Sequence, residues 1–118
     1  MPSDNLFSFL LMFPVFDASR KSLTNILIGC QAGNSTMTGT HNTAIGYQAA
    51  FTVTSGSSMT AFGTTAGYST TTGSNDIYFG DSAGYTNSTG SQLQAMGYQA
   101  AFNSTTSAAP GVTATGSQ

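Results

Sequence analysis

The chain has 118 residues, which is enough for one domain, and it carries very few charges. Two basic residues and four aspartates give a formal net charge of −2. Two basic side chains cannot neutralise a phosphate backbone, so nucleic acid is excluded as a partner. One histidine and four aspartates also leave too little for acid–base or metal chemistry, so we expect neither enzymatic activity nor a cofactor.

Small and hydroxylated residues dominate the composition. Threonine, serine and glycine supply 49 residues, and all three are poor helix formers. Hydrophobic residues nevertheless make up 39% of the chain, which argues against simple disorder. The composition therefore predicts an all-β protein of a structural or binding type.

The N-terminal segment is strongly apolar. Residues 6–16 are LFSFLLMFPVF, a run too short for a membrane span, which needs about 20 apolar residues. Asp4 precedes the run and no A-x-A pattern follows it, which argues against a signal peptide. An exposed run of this kind needs a cover, so residues 1–21 are predicted to form an arm that either docks on a larger partner or caps the domain behind it. The predicted docking residues are Leu6, Phe7, Phe9, Leu10, Leu11, Met12, Phe13 and Phe16.

A repeat of 17 residues organises the rest of the chain. Glycine recurs at positions 29, 46, 63, 80 and 97, and alanine recurs at positions 32, 49, 66, 83 and 100. An apolar residue precedes each of these glycines. The pattern predicts five repeats, starting at residues 28, 45, 62, 79 and 96, within a domain that spans residues 22–118.

Side chains within a repeat alternate in character. In the second copy, Ile45, Tyr47 and Phe51 share one parity, whereas the other parity holds glycine, glutamine and alanine. This period of two predicts a strand with one packed face. The columns predicted to form the repeat core or a subunit interface are Ile28, Ile45, Phe62, Phe79, Met96, Tyr47, Phe51, Tyr68, Tyr85, Tyr98 and Phe102.

Stacking of the repeats predicts a β-solenoid, in which like residues lie above like at about 4.7–4.9 Å. A chain this short, with few large apolar residues, should be marginal as a monomer. We therefore expect a homotrimer in which each chain supplies one side of a prism. The alternative is a monomeric solenoid that keeps its aromatic residues in the turns.

The segment NTAIGYQA, at residues 42–49, resembles the repeats of phage tail fibres and other virion fibres. It is also similar to the head repeats of trimeric autotransporter adhesins. The resemblance extends over residues 22–107 and implies a trimeric, β-helical stalk or head. Three copies depart from the pattern, because Phe62, Phe79 and Met96 stand where the motif has isoleucine, and Ser107 replaces the last turn glycine.

These features favour a non-enzymatic protein of the virion surface, either a trimeric fibre segment or a capsid decoration protein, with other capsid or tail proteins as partners. A host-surface adhesin or glycan-binding module, extracellular or on a bacterial cell surface, is the first alternative. In that case Tyr47, Tyr68, Tyr85 and Tyr98 would stack on sugars. The second alternative is an ice-binding solenoid, suggested by Thr-x-Thr pairs such as residues 36–38 and 70–72.

Few residues could carry chemistry, and we expect no catalytic or metal site. His41 stands in a predicted turn and is expected to be solvated. Asp76 and Asp81 supply two carboxylates, whereas calcium takes about 6–8 oxygen ligands. Cys30 occupies the column of Tyr47 and Tyr98, so packing accounts for it.

Overall fold

The computed structural model describes residues 24–33, 35–104 and 113–116, and within them the protein is an all-β solenoid of about five turns. Its strands are β1 (Ile26–Ile28), β2 (Thr43–Ile45), β3 (Thr60–Phe62), β4 (Ile77–Phe79), β5 (Gln94–Met96) and β6 (Thr113–Thr115). They form one parallel sheet in chain order, so each coil lays its strand beside that of the coil before. The predicted β-solenoid is confirmed, whereas the predicted arm at residues 1–21 lies outside the described residues.

The strand register follows the repeat. Ile28 pairs with Ile45, Ile45 with Phe62, and Phe79 with Met96, each a step of 17 residues. The last step differs, because Met96 pairs with Thr115, which is 19 residues on. The final coil has therefore taken up two extra residues, in the copy that lacks the turn glycine.

The strands are shorter than predicted, because the alternation after each anchor glycine belongs to a turn. β2 ends at Ile45, and positive φ then recurs at every second residue: Gly46 (+137°), Gln48 (+55°) and Ala50 (+56°). The amide of Ala49 donates to the carbonyl of Gly46 within the coil, while the amide of Ala50 donates to Ala66 of the next coil. Alternating backbone handedness thus produces the period of two that the sequence pattern attributed to an extended strand.

The turn also changes which side chains point inward. In β2, β3 and β5 the buried residue is the central alanine, and in β4 it is Tyr78. The predicted anchor column lies on the opposite face of the sheet, where Ile28 is 56%, Phe62 44%, Phe79 50% and Met96 49% exposed and Ile45 is half-buried. The prediction that this column fills the interior of the coil is wrong for the single chain. Its assignment to a subunit interface stays a prediction.

Large and small residues alternate inside the coils so that the interior volume is filled. Tyr78 is the largest fully buried side chain, and glycine stands beside it on both sides, at positions 67 and 84. Leu27 likewise faces Gly33. Ala44 and Ala95 have alanine at the corresponding turn positions, 50 and 101. Ala61 has Gly67 there, and this glycine leaves room for the Tyr78 ring of the next coil. The pattern matches the close packing that protein interiors require.

Hydroxyl groups connect one coil to the next. Thr54 Oγ1 donates to the carbonyl of Thr71, and Thr71 Oγ1 donates to the carbonyl of Ser88, both at 3.1 Å. In the neighbouring turn, Ser74 Oγ accepts the amide of Ser57 at 3.1 Å. The many serine and threonine side chains thus supply hydrogen bonds between coils. These bonds add to the stability that the small apolar core provides.

Candidate interaction face

Among the described residues, the exposed large apolar side chains lie on the outward side of the parallel sheet or beside it. We call the outward residues of β1 to β5 the sheet face. Its central column is Ile28, Ile45, Phe62, Phe79 and Met96, and the exposed apolar residues beside it include Ile26, Ile77, Tyr47 and Tyr98. Scattered exposed apolar residues are ordinary, but a contiguous column over five coils indicates an interaction surface.

The register of the sheet makes this column regular. The strands pair in parallel, so each anchor residue lies beside its equivalent in the next coil. The rings of Phe62 and Phe79 stack with centroids 5.0 Å apart and planes inclined by 15°. The face therefore presents equivalent side chains at an even step from one coil to the next.

The sheet face carries almost no charge. Asp81 is the one exposed carboxylate of the described residues, and it lies at the edge of the face in the column of Tyr47 and Tyr98. The hydroxyl of Ser82 donates to Asp81 Oδ1 at 2.7 Å. Because the face offers so little charge, shape and apolar burial would determine what it binds.

The predicted aromatic column is present on a different side of the coil. Phe51, Tyr68, Tyr85 and Phe102 stack in succession, with ring centroids 5.0–5.4 Å apart, and all four are half-buried. Both faces of the Tyr68 and Tyr85 rings are covered by neighbouring rings. A sugar could therefore reach only the edges of these two rings.

Tyr47 and Tyr98 differ from the stacked tyrosines. They are 50% and 58% exposed, and they flank the sheet face three coils apart. Neither is in the interior of its own coil, and their predicted place in a subunit interface stays a prediction. The exposed rings are available to another surface or to a sugar.

Several threonine hydroxyls in and near the Thr-x-Thr pairs are engaged within the solenoid. Thr38 Oγ1 donates to the carbonyl of Thr54 at 3.2 Å, and Thr52 Oγ1 donates to that of Tyr68 at 2.6 Å. Thr70 is buried and its hydroxyl contacts the Tyr78 hydroxyl at 3.1 Å. These hydroxyls hold coils together instead of forming a free outward array.

The residues singled out for chemistry are dispersed. His41 is exposed and its Nδ1 lies 3.0 Å from Thr40 Oγ1. Cys30 is a free, exposed thiol, so the single chain does not pack it, and its packing between subunits stays a prediction. Asp81 is exposed, whereas Asp76 is fully buried. Within the described ranges, no three histidine, cysteine or acidic residues gather around a point that could hold a metal ion.

Sequence analysis missed a set of buried polar residues, namely Asn42, Thr70, Asp76 and Asn87. A signal for part of this set was present, because asparagine or aspartate recurs at positions 25, 42 and 76, separated by one and two repeat lengths. Asn42 and Asp76 bond to the backbone of the following coil. They therefore belong to the structure of the solenoid.

Comparisons with protein-family models, with curated proteins and with solved structures find no match to this chain. In the part of the chain that the structure describes, no helix is long and apolar enough to cross a membrane. The eight predicted docking residues of the arm lie outside the described ranges. The sheet face is thus the surface from which function can be argued.

Proposed function

We propose that the protein is a non-enzymatic structural component of a virion, a trimeric fibre segment or a capsid decoration protein, and that the sheet face is its subunit interface. The observation that carries the proposal is the exposed apolar column in strict register along the solenoid. The resemblance of residues 42–49 to virion fibre repeats supplies the biological setting.

Parallel sheets are almost always covered on both faces. Here the coil interior covers one face of the sheet, while the other exposes phenylalanine, isoleucine and methionine. A second sheet packs at about 10 Å, with side chains interdigitated between the two layers. The uncharged face suits further copies of the same chain, because like surfaces meet without charge repulsion around a rotation axis.

The first prediction concerns assembly. The double replacement Phe62→Ser and Phe79→Ser should convert the trimer to a monomer, because it removes the stacked pair at the centre of the sheet face. Since both side chains are about half exposed in the single chain, the monomer should stay folded. Light scattering gives the mass and circular dichroism the fold.

Thr72→Ala, an exposed turn position away from the face, is the matched control and should leave the trimer intact. A wild-type chain that is already a stable monomer at micromolar concentration would refute the trimer. In that event the exposed Tyr47 and Tyr98 favour the second candidate function, glycan binding, which a glycan array tests directly.

A second prediction concerns attachment to the particle through residues 1–21. Deleting this segment should leave the solenoid folded and trimeric, because the 17-residue repeat begins after it. Attachment to the larger assembly should be lost, because burial of each large apolar side chain contributes roughly 1.5–3 kcal/mol. Co-sedimentation with particles measures attachment. Unfolding of the repeats on deletion would instead identify the segment as a lid on the first coil.

A further inference from the structure

Three residues at one repeat position supply the starting point. Asn25, Asn42 and Asp76 occur one and two repeat lengths apart. Asn42 closes its coil with both ends of its amide, since Oδ1 accepts the Met59 amide at 2.9 Å and Nδ2 donates to the carbonyl of Gly56 at 2.8 Å. Asn25 makes the same pair of bonds one coil earlier, to the amide of Asn42 at 2.8 Å and to the carbonyl of Gly39 at 2.9 Å.

Asp76 makes only one half of this arrangement. Its Oδ1 accepts a hydrogen bond from the Leu93 amide at 2.9 Å. This bond is equivalent to the one that Asn42 Oδ1 accepts from the Met59 amide. Its Oδ2 stands where an asparagine would carry the amide nitrogen, and it is fully buried without a hydrogen-bond partner. The carbonyl equivalent to that of Gly56 belongs to Gly90, 14 residues after Asp76. It accepts Asn87 Nδ2 at 3.1 Å, which leaves one of its two lone pairs for a second donor.

Asp76 Oδ2 and the carbonyl oxygen of Gly90 both lie beside Gly73. A Cβ atom placed on Gly73 would lie 2.7 Å from Asp76 Oδ2 and 2.2 Å from the carbonyl oxygen of Gly90. Both oxygens therefore border one small space. An ionised carboxylate there would oppose a carbonyl acceptor, whereas a protonated carboxyl has a hydrogen to donate.

Among the described residues, no cationic side chain lies beside Asp76. Tyr78, on β4, is the titratable side chain that faces it, and burial raises the pKa of that phenol, so it stays neutral. The Tyr78 hydroxyl accepts hydrogen bonds from Thr70 and from Asn87. Its own hydrogen bond with the Asp76 carboxyl offsets only part of the effect of burial on the pKa of Asp76. Of the other described titratable groups, His41 and Asp81 are exposed. Burial correspondingly raises the pKa of Asp76 to about 6.

We propose that Asp76 is a proton-dependent lock between the coil of β4 and the coil of β5. As a neutral acid it takes the place of the asparagine amide and donates a hydrogen bond from Oδ2 to the Gly90 carbonyl. When Asp76 loses its proton, the junction between the two coils becomes weaker. The lock is internal to one chain, so it does not depend on what covers the sheet face.

The direction of the pH effect follows from proton linkage. The pKa of Asp76 rises from 3.8 to about 6 in the folded chain, so the folded state binds the proton more tightly than the unfolded state does. Stability from this group is fully present below pH 3.8 and is lost as the pH rises through about 6. The folding equilibrium constant should fall on the order of a hundredfold across that window.

The test compares the full-length wild-type chain with Asp76→Asn by urea unfolding between pH 3 and pH 8, at one protein concentration. The wild type should lose stability between pH 4 and pH 7, and Asp76→Asn should not show this loss. The variant should therefore be the more stable protein at pH 8. Asp81→Asn, at an exposed carboxylate, is the control and should retain the wild-type slope.

A second readout does not depend on unfolding. The infrared band of a protonated carboxyl should be present in the folded wild type at pH 5 and absent from Asp76→Asn. The Leu93 amide donates its hydrogen bond to Asp76 Oδ1. Its hydrogen exchange should accelerate above pH 6 by more than the intrinsic increase of exchange with pH, and this extra acceleration should be absent from the variant. A variant with an unchanged pH slope, or one less stable than wild type at pH 8, would overturn the proposal.

Discussion

Replacing Gly63 with alanine should abolish the cooperative fold of the solenoid. A Cβ at this position would lie 2.5 Å from the carbonyl oxygen of Gly80, which belongs to the backbone of the next coil and cannot rotate away. The φ of +141° also lies outside the left-handed region that other residues enter. Since the clash and the strain act together at the centre of the stack, we expect a loss above about 4 kcal/mol, measured by urea unfolding.

Two controls separate the clash from the effect of alanine itself. Gly116→Ala lies in the same glycine column, but within the described residues no atom is within 4 Å of a Cβ there, so only a backbone cost of about 1–2 kcal/mol is expected. Gln48→Ala tests the neighbouring left-handed position and should cost less than about 1 kcal/mol. If Gly63→Ala unfolds no more easily than Gly116→Ala, the coils are not stacked as closely as described here.

The repeat length and the solenoid could be predicted from the sequence, because the glycine column marks positions where one backbone approaches the next. A Cβ on any of Gly29, Gly46, Gly63 or Gly80 would lie 2.4–2.6 Å from a carbonyl oxygen of the following coil. Such a constraint admits only glycine, and it therefore recurs at an unvarying spacing. Backbone contacts of this kind leave a strong signal in one sequence.

The orientation of the strand residues could not be predicted in the same way. Ile45 and Tyr47 share a parity with Ala49, and the alternation looks like a continuous strand. The φ of +137° at Gly46 interrupts it, so that Ala44 and Ala49 both point inward although they are five residues apart. Hydrophobicity also misleads, because the interior accepts alanine while the larger side chains lie outside.

The buried polar network could be predicted only in part. Asn25 and Asn42 share a repeat position, but Met59 and Leu93 occupy it in other coils, so the column looks degenerate. The column is explained by hydrogen bonds between coils. The side-chain oxygen of Asn42 accepts a hydrogen bond from the Met59 amide, and that of Asp76 accepts one from the Leu93 amide. From Asn42 onward a polar residue alternates with an apolar one, and each polar side chain accepts the amide of the apolar residue one coil later. No single repeat reveals this pattern.

The pairing of Tyr78 with Gly84 leads to the second large expected effect. A Cβ on Gly84 would lie 2.1 Å from two carbons of the Tyr78 ring. Gly84→Ala should cost about 1–3 kcal/mol, the range for overpacking a filled core. The backbone is not the obstacle, because Ala50 and Ala101 take φ of +56° and +54° at the same repeat position.

The cause can be isolated with a double-mutant cycle. Tyr78→Ala alone should cost about 3–5 kcal/mol, because it empties the centre of its coil and leaves Thr70 and Asn87 without the hydroxyl that they contact. The double variant Tyr78→Ala, Gly84→Ala reproduces the pair of alanines found at positions 44 and 50. It should therefore be more stable than the sum of the two single costs predicts, by about 0.5–3 kcal/mol.

Ala50→Gly supplies the reference for the cycle, because position 50 faces the small Ala44 and no ring. Combined with Ala44→Gly it should show costs that add, since neither change creates or relieves a clash. Additive costs at Tyr78 and Gly84 would mean that the ring does not lie over the turn of its own coil. A positive coupling at that pair, with none at the alanine pair, would show that each coil balances its strand residue against its turn residue, which is how repeats of one backbone accommodate side chains from alanine to tyrosine.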